Sequence, residues 1–318
     1  MHGEARTLLD ASALEAMFAS TLNPKSADQN ESAIQFHTEQ WHTHSRMRFH
    51  AYRRTEALFG AASWRGRFAR LVQSYEKPEA ISTGSGATLL ATARALPGGD
   101  PAFANAIETD VLQRFAWADG LSTFLSDAYR GGMVTNFMLS ALAIMVGVAY
   151  LPLVSVHMKW PFAAGEFLLL AAILAITSIG GKRRWHGRWF ETRRVAEYFR
   201  HAPILLLLGV ARASGRWPRG ADTEWPEYYA REVLRELGLP RLRITQAYLQ
   251  SALSELLWAH ATGQRLYHEQ KALRLTRVHH NLDKLSEWLF KLAVASVASY
   301  LLLLGAAQMG LVTSAWPD

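Results

Sequence analysis

The chain has 318 residues, half of them hydrophobic, and a formal charge of +7 with a pI of about 9.7. A basic chain favours anionic partners such as anionic lipid, nucleotides or nucleic acid. It has no cysteine, which excludes disulfides, thiolate zinc sites and cysteine nucleophiles. The first residues contain acids and no apolar core of signal-peptide length, so we expect any membrane targeting to come from internal segments.

Residues 1–100 predict a helical cytoplasmic region, a candidate regulatory part. The stretch 31–76 is long, basic and amphipathic, and prolines and glycines interrupt the chain after it. Asp100 followed by Pro101 is typical of a helix start, because the Asp side chain can cap the helix and proline fits its first position. From there the sequence continues without a strong break into the first apolar run.

Two patterns in this region have a ligand-binding alternative. The "TGSGAT" sequence at 83–88 could cradle a phosphate with its amides, but no strand precedes it and no lysine follows at P-loop spacing. We interpret it as a capped linker. His37, His42, His44 and His50 crowd one stretch without sharing a helical face, and no carboxylate stands at HExxH spacing. We therefore expect neither a metal site nor a cofactor.

Three apolar runs approach or exceed the length of a membrane span: 137–156, 162–179 and 292–313. Since a helix rises 1.5 Å per residue, roughly 20 apolar residues cross a hydrocarbon core about 30 Å thick. The first two runs predict a hairpin, which with its lead-in helix occupies 101–181. A fourth run, from Pro203, is too short to span and predicts a core or interfacial helix.

Charged and aromatic flanks orient these runs. Basic residues follow the second run and precede the third, so the positive-inside rule places both ends of the hairpin in the cytoplasm and the C-terminus outside. A basic cluster so near a bilayer has poor access to a duplex, so we expect lipid and no nucleic acid duplex as its partner. The predicted membrane-interface residues are Trp160, Lys182, Arg183, Arg184, Trp185, Trp288 and Trp316.

The predicted cytoplasmic region 182–291 carries a polar face. Five side chains recur at steps of three or four and so share one side of a helix: His186, Trp189, Arg193, Glu197 and Arg200. A later helix could meet them through Gln264, Tyr267 and His268. Two interpretations stay open: an intramolecular contact with headgroup binding, or a switch that senses a signal and pulls on the spans.

A short heptad pattern precedes the third run, formed by Leu275, Val278, Leu282, Leu285 and Leu289. It covers a little over two repeats, so an oligomer seam and packing against the chain's own helices are both open.

Polar residues within the runs are few. Glu166 is the only ionisable one, and an acid within a membrane is a functional candidate by default. Its place near the start of its run also fits the membrane interface. Five others could line a pore or allow close helix packing: Ser140, Thr177, Ser296, Ser299 and Gln308.

The order of these segments is similar to a known family. "VLQRFAWADGLSTFLSDAYR" leads into the hairpin, and "RWHGRWFETRRVAEYFRHAPILLLLG", "EWPEYYAREVLRELGLP" and "QRLYHEQKALRLTRVHHNLDKLSEWLF" follow it. Over roughly 111–313 the chain resembles the SLATT family of bacterial membrane effectors, through a pattern of WHxRWxxxRxxAExxR and QxxYH type. The resemblance implies a role in antiviral defence, in which an infection signal makes the protein breach the inner membrane and arrest or kill the cell.

Two features depart from that family. It is typified by a two-helix hairpin, whereas a third run follows here, and residues 1–100 show no SLOG sensor domain. The signal would therefore bind the N-terminal region or reach the chain through a sensor protein, and a nucleotide second messenger is one candidate.

The sequence predicts an all-α helical membrane protein with a two-helix transmembrane hairpin, a cytoplasmic helical region and a third C-terminal transmembrane helix. We expect no enzyme, because no acid, base and nucleophile can be assembled. The expected function is a homo-oligomeric effector that forms or opens a pore in the bacterial inner membrane, with most of its soluble part in the cytoplasm. The alternative is a non-conducting anchor or scaffold that recruits a partner enzyme or sensor through its basic cytoplasmic face.

Overall fold

The computed structural model describes residues 27–44, 46, 49–68, 71, 74–153, 159–210 and 225–309. All regular elements in these ranges are helices, as the sequence predicts. The segment 213–226, whose sequence predicts a loop, and the ends of the first and third apolar runs lie partly outside the described residues.

The helices follow one another along the chain. Their bounds are α1 Ala27–Thr38, α2 His50–Gly60, α3 Trp64–Arg67, α4 Ala87–Ala95, α5 Pro101–Ala106, α6 Gln113–Leu153, α7 Trp160–Lys182, α8 Trp185–Leu207, α9 Trp225–Leu237, α10 Gln246–Ser251 and α11 Ala259–Gln308. π-Helical turns at Ile107–Leu112 and Ala252–Trp258 join α5 to α6 and α10 to α11.

The chain packs into two compact units. The first is Met1–Arg53 with Leu71–Gln264, and the second is Arg54–Arg70 with Arg265–Asp318. The predicted division at residues 100, 181 and 291 follows membrane topology and not packing, and it stays a prediction.

The first unit is built around the lead-in helix. Asp100 caps it, since its Oδ1 accepts a hydrogen bond from the Phe103 amide at 3.1 Å, and Pro101 occupies its first turn, so the predicted helix start is confirmed. The helix then continues through the π turn to Leu153. Its buried side pairs with α8, whose core residues include Val195, Ala196 and Phe199.

The fourth apolar run is part of this core. Ile204, Leu206 and Leu207 are buried, and the Tyr248 hydroxyl donates to the Leu207 carbonyl at 2.5 Å, which confirms the core interpretation. Gly238 follows α9 at a φ of +73°, a left-handed conformation that glycine adopts at low cost, and ends that helix.

A buried carboxylate ties the long N-terminal stretch to the lead-in helix. Asp127 is fully buried and accepts hydrogen bonds from Arg53 Nε at 2.8 Å and the Tyr75 hydroxyl at 3.0 Å. Phe49 and Tyr75 pack beside it against Phe124. Because a buried charge without partners is costly, this pairing fixes the position of the stretch on the helix.

In the second unit, α2 packs on α11. Glu56 is buried, with its Oε1 2.9 Å from Lys271 Nζ and 3.3 Å from Arg274 Nε. Asn281 Nδ2 donates to the Phe59 carbonyl at 2.7 Å. A single buried acid therefore holds two basic side chains of α11.

Candidate functional site: a hairpin and the polar face of the next helix

Three helical segments of the described chain are long and apolar enough to cross a membrane. They lie within Pro101–Val148, Trp160–Lys182 and Gln246–Ala306. They overlap all three predicted apolar runs, and by length and composition they indicate a multi-pass membrane protein.

The hairpin begins where α6 changes from buried to exposed. Gly131 lies against the chain at Phe49, since a Cβ there would be 2.7 Å from the Phe49 carbonyl oxygen. Beyond it, α6 exposes large apolar side chains, namely Met133, Phe137, Met138, Leu142, Ile144, Met145 and Val148. From Met133 to the end of α6 the helix is roughly 30 Å long, the thickness of a hydrocarbon core.

Two contacts join α6 and α7 inside the hairpin. Asn136 Nδ2 donates to Thr177 Oγ1 at 3.1 Å. Gly147 lies against Glu166, because a Cβ on Gly147 would be 2.9 Å from Glu166 Oε2. A close glycine and an interhelical hydrogen bond are typical of helix packing in lipid. The structure thus places Glu166 on the side of α7 that contacts α6.

The other polar candidates of the runs lie on exposed positions. Ser140 is exposed on α6, and Ser296, Ser299 and Gln308 are exposed on α11. The sequence pattern missed Asn136, which stands one residue before the first run. The sequence signal that could have identified Asn136 is an amide side chain at the edge of an apolar segment, where it needs a hydrogen-bond partner.

The predicted interface residues lie at helix ends. Trp160 begins α7 and Lys182 ends it, and both are exposed. Arg183 is exposed beside them. Trp288 is exposed on α11, and Trp316 lies outside the described residues.

Arg184 and Trp185 have intramolecular contacts as well. Arg184 forms the corner between α7 and α8 at a φ of 47°, the left-handed region, and its guanidinium lies 3.7 Å from Glu191. The Trp185 ring packs 5.7 Å from Phe49 and touches the face of α7 at Gly180. Both residues therefore fix the angle between the hairpin and α8.

The predicted polar face of α8 meets α6. Arg193 Nη1 and Arg200 Nη2 lie 3.1 and 2.9 Å from Asp119 Oδ1. Glu197 also bonds Arg193, and lies 3.4 Å from Arg200. Sequence reasoning missed Asp119. An acid on a largely apolar helix demands a cationic partner, and that was the available signal.

The N-terminal part of this face, at His186 and Trp189, is aromatic. His186 and Trp189 pack on Tyr129 of α6, with ring centroids 4.7 and 6.0 Å apart. The Arg130 guanidinium lies 4.6 Å from the Trp189 ring, a cation–π contact. The polar face is thus a continuous contact between α8 and the helix that enters the hairpin.

Helix α11 approaches this face through His260. Its ring lies 5.3 Å from His201, which is 3.7 Å from Glu197. Burial, and then the charges of His201 and Arg200, lower the pKa of His260 below its usual value. An uncharged His260 is therefore compatible with the neighbouring arginine.

The three candidates of the later helix lie beyond His260. Gln264 is the last residue of the first unit. Tyr267 and His268 belong to the second unit, where both are exposed and their rings are 5.4 Å apart. Their contact with the polar face stays a prediction.

A pocket of about 1240 Å³ adjoins the polar face between α8 and α9. It shares Arg193, Glu197 and His201 with that face. Further basic and aromatic side chains line it, among them Arg194, Tyr198, Tyr228, Arg231 and Arg235. Glu197 and Glu232 also line it, so the pocket carries charges of both signs.

The glycine-rich loop and the histidines have structural partners. Glu76 accepts from the Ser85 amide at 2.7 Å and from its hydroxyl at 2.5 Å, so the chain's own carboxylate caps the "TGSGAT" loop. His42 stacks on Phe124. Burial and the Arg114 charge lower the pKa of His37 to about 4. Among the described residues no group of three or more acids and histidines could hold a metal ion.

The heptad positions of α11 are divided between two environments. Val278 packs on Gly60 of α2, where a Cβ would be 2.9 Å from its Cγ2. The four leucines, Leu275, Leu282, Leu285 and Leu289, are exposed. The chain's own packing therefore uses Val278 and leaves the leucines accessible.

Comparison with known proteins adds no relative: neither a protein-family model nor a curated protein nor a solved structure matches this chain.

Proposed function

We propose that this chain is a homo-oligomeric, multi-pass effector of the bacterial inner membrane that forms or opens a pore in response to an infection signal. The hairpin and the third span would cross the bilayer, with most of the soluble part in the cytoplasm. The SLATT-like order of segments supports the defence role, and the exposed leucines of α11 support self-association. The signal would be a nucleotide second messenger or a sensor protein.

The continuity of α6 carries this proposal. One uninterrupted helix joins Asp119, held by Arg193 and Arg200, to the apolar segment that contains Gly147. The two positions are 28 residues apart in sequence, which is roughly 42 Å of helix. A change in the Asp119 contacts therefore shifts or rotates the hairpin helix, because a helix transmits displacement along its axis.

Because polar contacts lie within the hairpin, a shift or rotation of α6 would change which polar groups face its neighbours. Glu166 against Gly147, and Asn136 bonded to Thr177, sit between the two apolar helices. Rotation of α6 would replace these contacts by exposure of a carboxylate and an amide to a neighbouring subunit. Such groups in lipid require water or polar partners, so their exposure favours an aqueous path.

The test is flux through proteoliposomes that hold the purified chain, measured with ions and a small dye, with and without cyclic nucleotides. Flux that requires the protein and rises with a nucleotide supports the gated pore and identifies its signal. Constitutive flux keeps the pore and assigns the trigger to a partner protein. No flux from protein shown to be inserted would overturn the pore and favour the scaffold.

A matched pair of variants tests the coupling in cells. Asp119→Ala removes the carboxylate that holds two arginines of α8, so we expect strongly reduced membrane depolarisation on overexpression. Asp110→Ala removes an acid that pairs with Arg114 one turn away, and we expect wild-type depolarisation. Equal activity of both variants at equal membrane levels would contradict transmission through Asp119.

A further inference from the structure

The segment Trp64–Phe68 exposes two large aromatic side chains. Trp64 and Phe68 are 70 and 60% exposed, and their ring centroids are 5.1 Å apart. Ser63 caps the short helix α3 by accepting from the Gly66 amide at 3.2 Å, so the segment has a defined conformation. Exposed aromatic clusters of this kind mark interaction surfaces, because water contact with them is unfavourable.

The sequence around these rings is basic. Residues 57–75 contain three arginines and no Asp or Glu. The Arg67 guanidinium lies 5.7 Å from the Trp64 ring, and Arg65 is exposed on the same turn. Tryptophan beside arginine is the composition of the membrane interface, where the ring occupies the headgroup level and the guanidinium binds phosphate.

The packing of α2 on α11 directs this segment toward the proposed membrane entry. Glu56 pairs with Lys271 and the Phe59 carbonyl accepts from Asn281, so both helices advance in the same direction. The next residue of α2, Gly60, lies against Val278.

The remaining distance to the interface is short. Ten residues of helix, about 15 Å, separate Val278 from Trp288. Four residues separate Gly60 from Trp64, an extended reach of about 14 Å. The chain bends at Ala62 and Ser63, so Trp64 lies nearer to Gly60 than this limit, in the part of the second unit that precedes Trp288.

We propose that Trp64, Arg65, Arg67 and Phe68 form an anchor that binds anionic lipid headgroups at the membrane surface where α11 enters the bilayer. This inference rests on the proposed third span. The anchor would hold α2 and the membrane-proximal half of α11 at a fixed height. Each arginine near an anionic surface should favour the bound state about fivefold.

The absence of native cysteine allows a direct test in the full chain. Ala62→Cys places one fluorophore on an exposed residue beside the anchor and leaves all four anchor side chains in place. The labelled protein is reconstituted in phosphatidylcholine vesicles with or without phosphatidylglycerol, with nitroxide-labelled lipid as the quencher. Reference labels at Leu302→Cys, within the proposed span, and Leu266→Cys, about 39 Å before it, calibrate the quenching.

We expect lipid to quench the label at position 62, more strongly with phosphatidylglycerol, and to leave position 266 unquenched. Arg65→Gln with Arg67→Gln should reduce that quenching, whereas Arg265→Gln with Arg277→Gln removes the same charge from α11 and should not. An unquenched position 62 beside a quenched position 302 overturns the anchor and keeps the span. An unquenched position 302 overturns the third span. Shielding of position 62 that depends on protein concentration and not on lipid assigns the segment to a second copy.

Discussion

The two longest helices, α6 and α11, both run from polar into apolar sequence, yet the chain holds them differently. The first half of α6 is buried, with Asp119 and Asp127 paired to arginines of other elements. Its apolar half has α7 beside it. The described part of α11 beyond Lys271 is exposed except at positions such as Val278 and Asn281, where α2 packs.

This difference shows that hydropathy does not decide how a span is stabilised. In the hairpin, Gly147 and Asn136 give α6 an intramolecular partner before any assembly occurs. The apolar segment of α11 has side chains exposed on every side, such as Leu292, Tyr300 and Leu302. We therefore expect the hairpin to insert as a packed pair, and α11 to depend on lipid or a second copy for its contacts.

The largest effect should follow from a single methyl group on α6. In Gly131→Ala the new Cβ would lie 2.7 Å from the Phe49 carbonyl oxygen. The clash cannot be relieved by rotation of a side chain, because the neighbouring atoms belong to the Phe49 backbone. We expect a loss of about 3 kcal/mol in the free energy of unfolding. Thermal unfolding of the purified protein in detergent measures it.

The neighbouring glycine provides the control for that variant. A Cβ on Gly132 would meet Ile176 at 3.5 Å, an ordinary contact, and alanine is the better helix former. Gly132→Ala should therefore unfold at or above the wild-type temperature. Equal destabilisation by both variants would mean that α6 is not seated against Phe49 as described.

The second effect concerns the contact that holds α11. Glu56→Ala removes a buried carboxylate from Lys271 and Arg274, so the protection of α2 amides against hydrogen exchange should fall by about 2 kcal/mol. Asp283→Ala removes an exposed acid that pairs with His279, and should change protection by less than about 0.5 kcal/mol. Unchanged exchange in Glu56→Ala would show that α2 is held on α11 by other contacts.

Much of this fold was predictable because its signals are local. The apolar runs need only a count of residues, and Asp100 with Pro101 needs only capping chemistry. The helical face of α8 follows from a period of three or four. Each of these features depends on residues close together in the sequence.

The partners of that face could not be predicted, because they are distant in sequence. Arg193 and Asp119 are 74 residues apart, and so are Arg53 and Asp127. Nothing in the periodicity of either segment selects one acid among several. Within the stretch 31–76, Phe49 and Tyr75 likewise pack on α6, a tertiary contact that its amphipathic pattern does not contain.

A third effect, similar in size to the second, compares the two apolar segments directly. Gly147→Leu forces a large side chain against Glu166 and should separate α7 from α6, at a cost of about 2 kcal/mol and with reduced flux. A Cβ on Gly305 of α11 meets nothing within 4 Å, so Gly305→Leu should unfold as wild type does. Should Gly305→Leu reduce stability or flux as much, α11 is packed against another helix in the assembled protein.

The smallest effect on the single chain should come from Leu282→Asp. Leu282 is exposed, so the free energy of unfolding of one subunit should change by less than about 0.5 kcal/mol. A seam between copies would instead bury this leucine, and an aspartate there would require desolvation of a charge. We therefore expect oligomers measured by cross-linking in membranes to be lost, together with flux. Leu273→Asp changes another exposed leucine of α11 outside the heptad and should leave both intact. Wild-type assembly and flux in Leu282→Asp would exclude the heptad as the seam, and would leave the apolar segment of α11 as the remaining surface through which copies of this helix could meet.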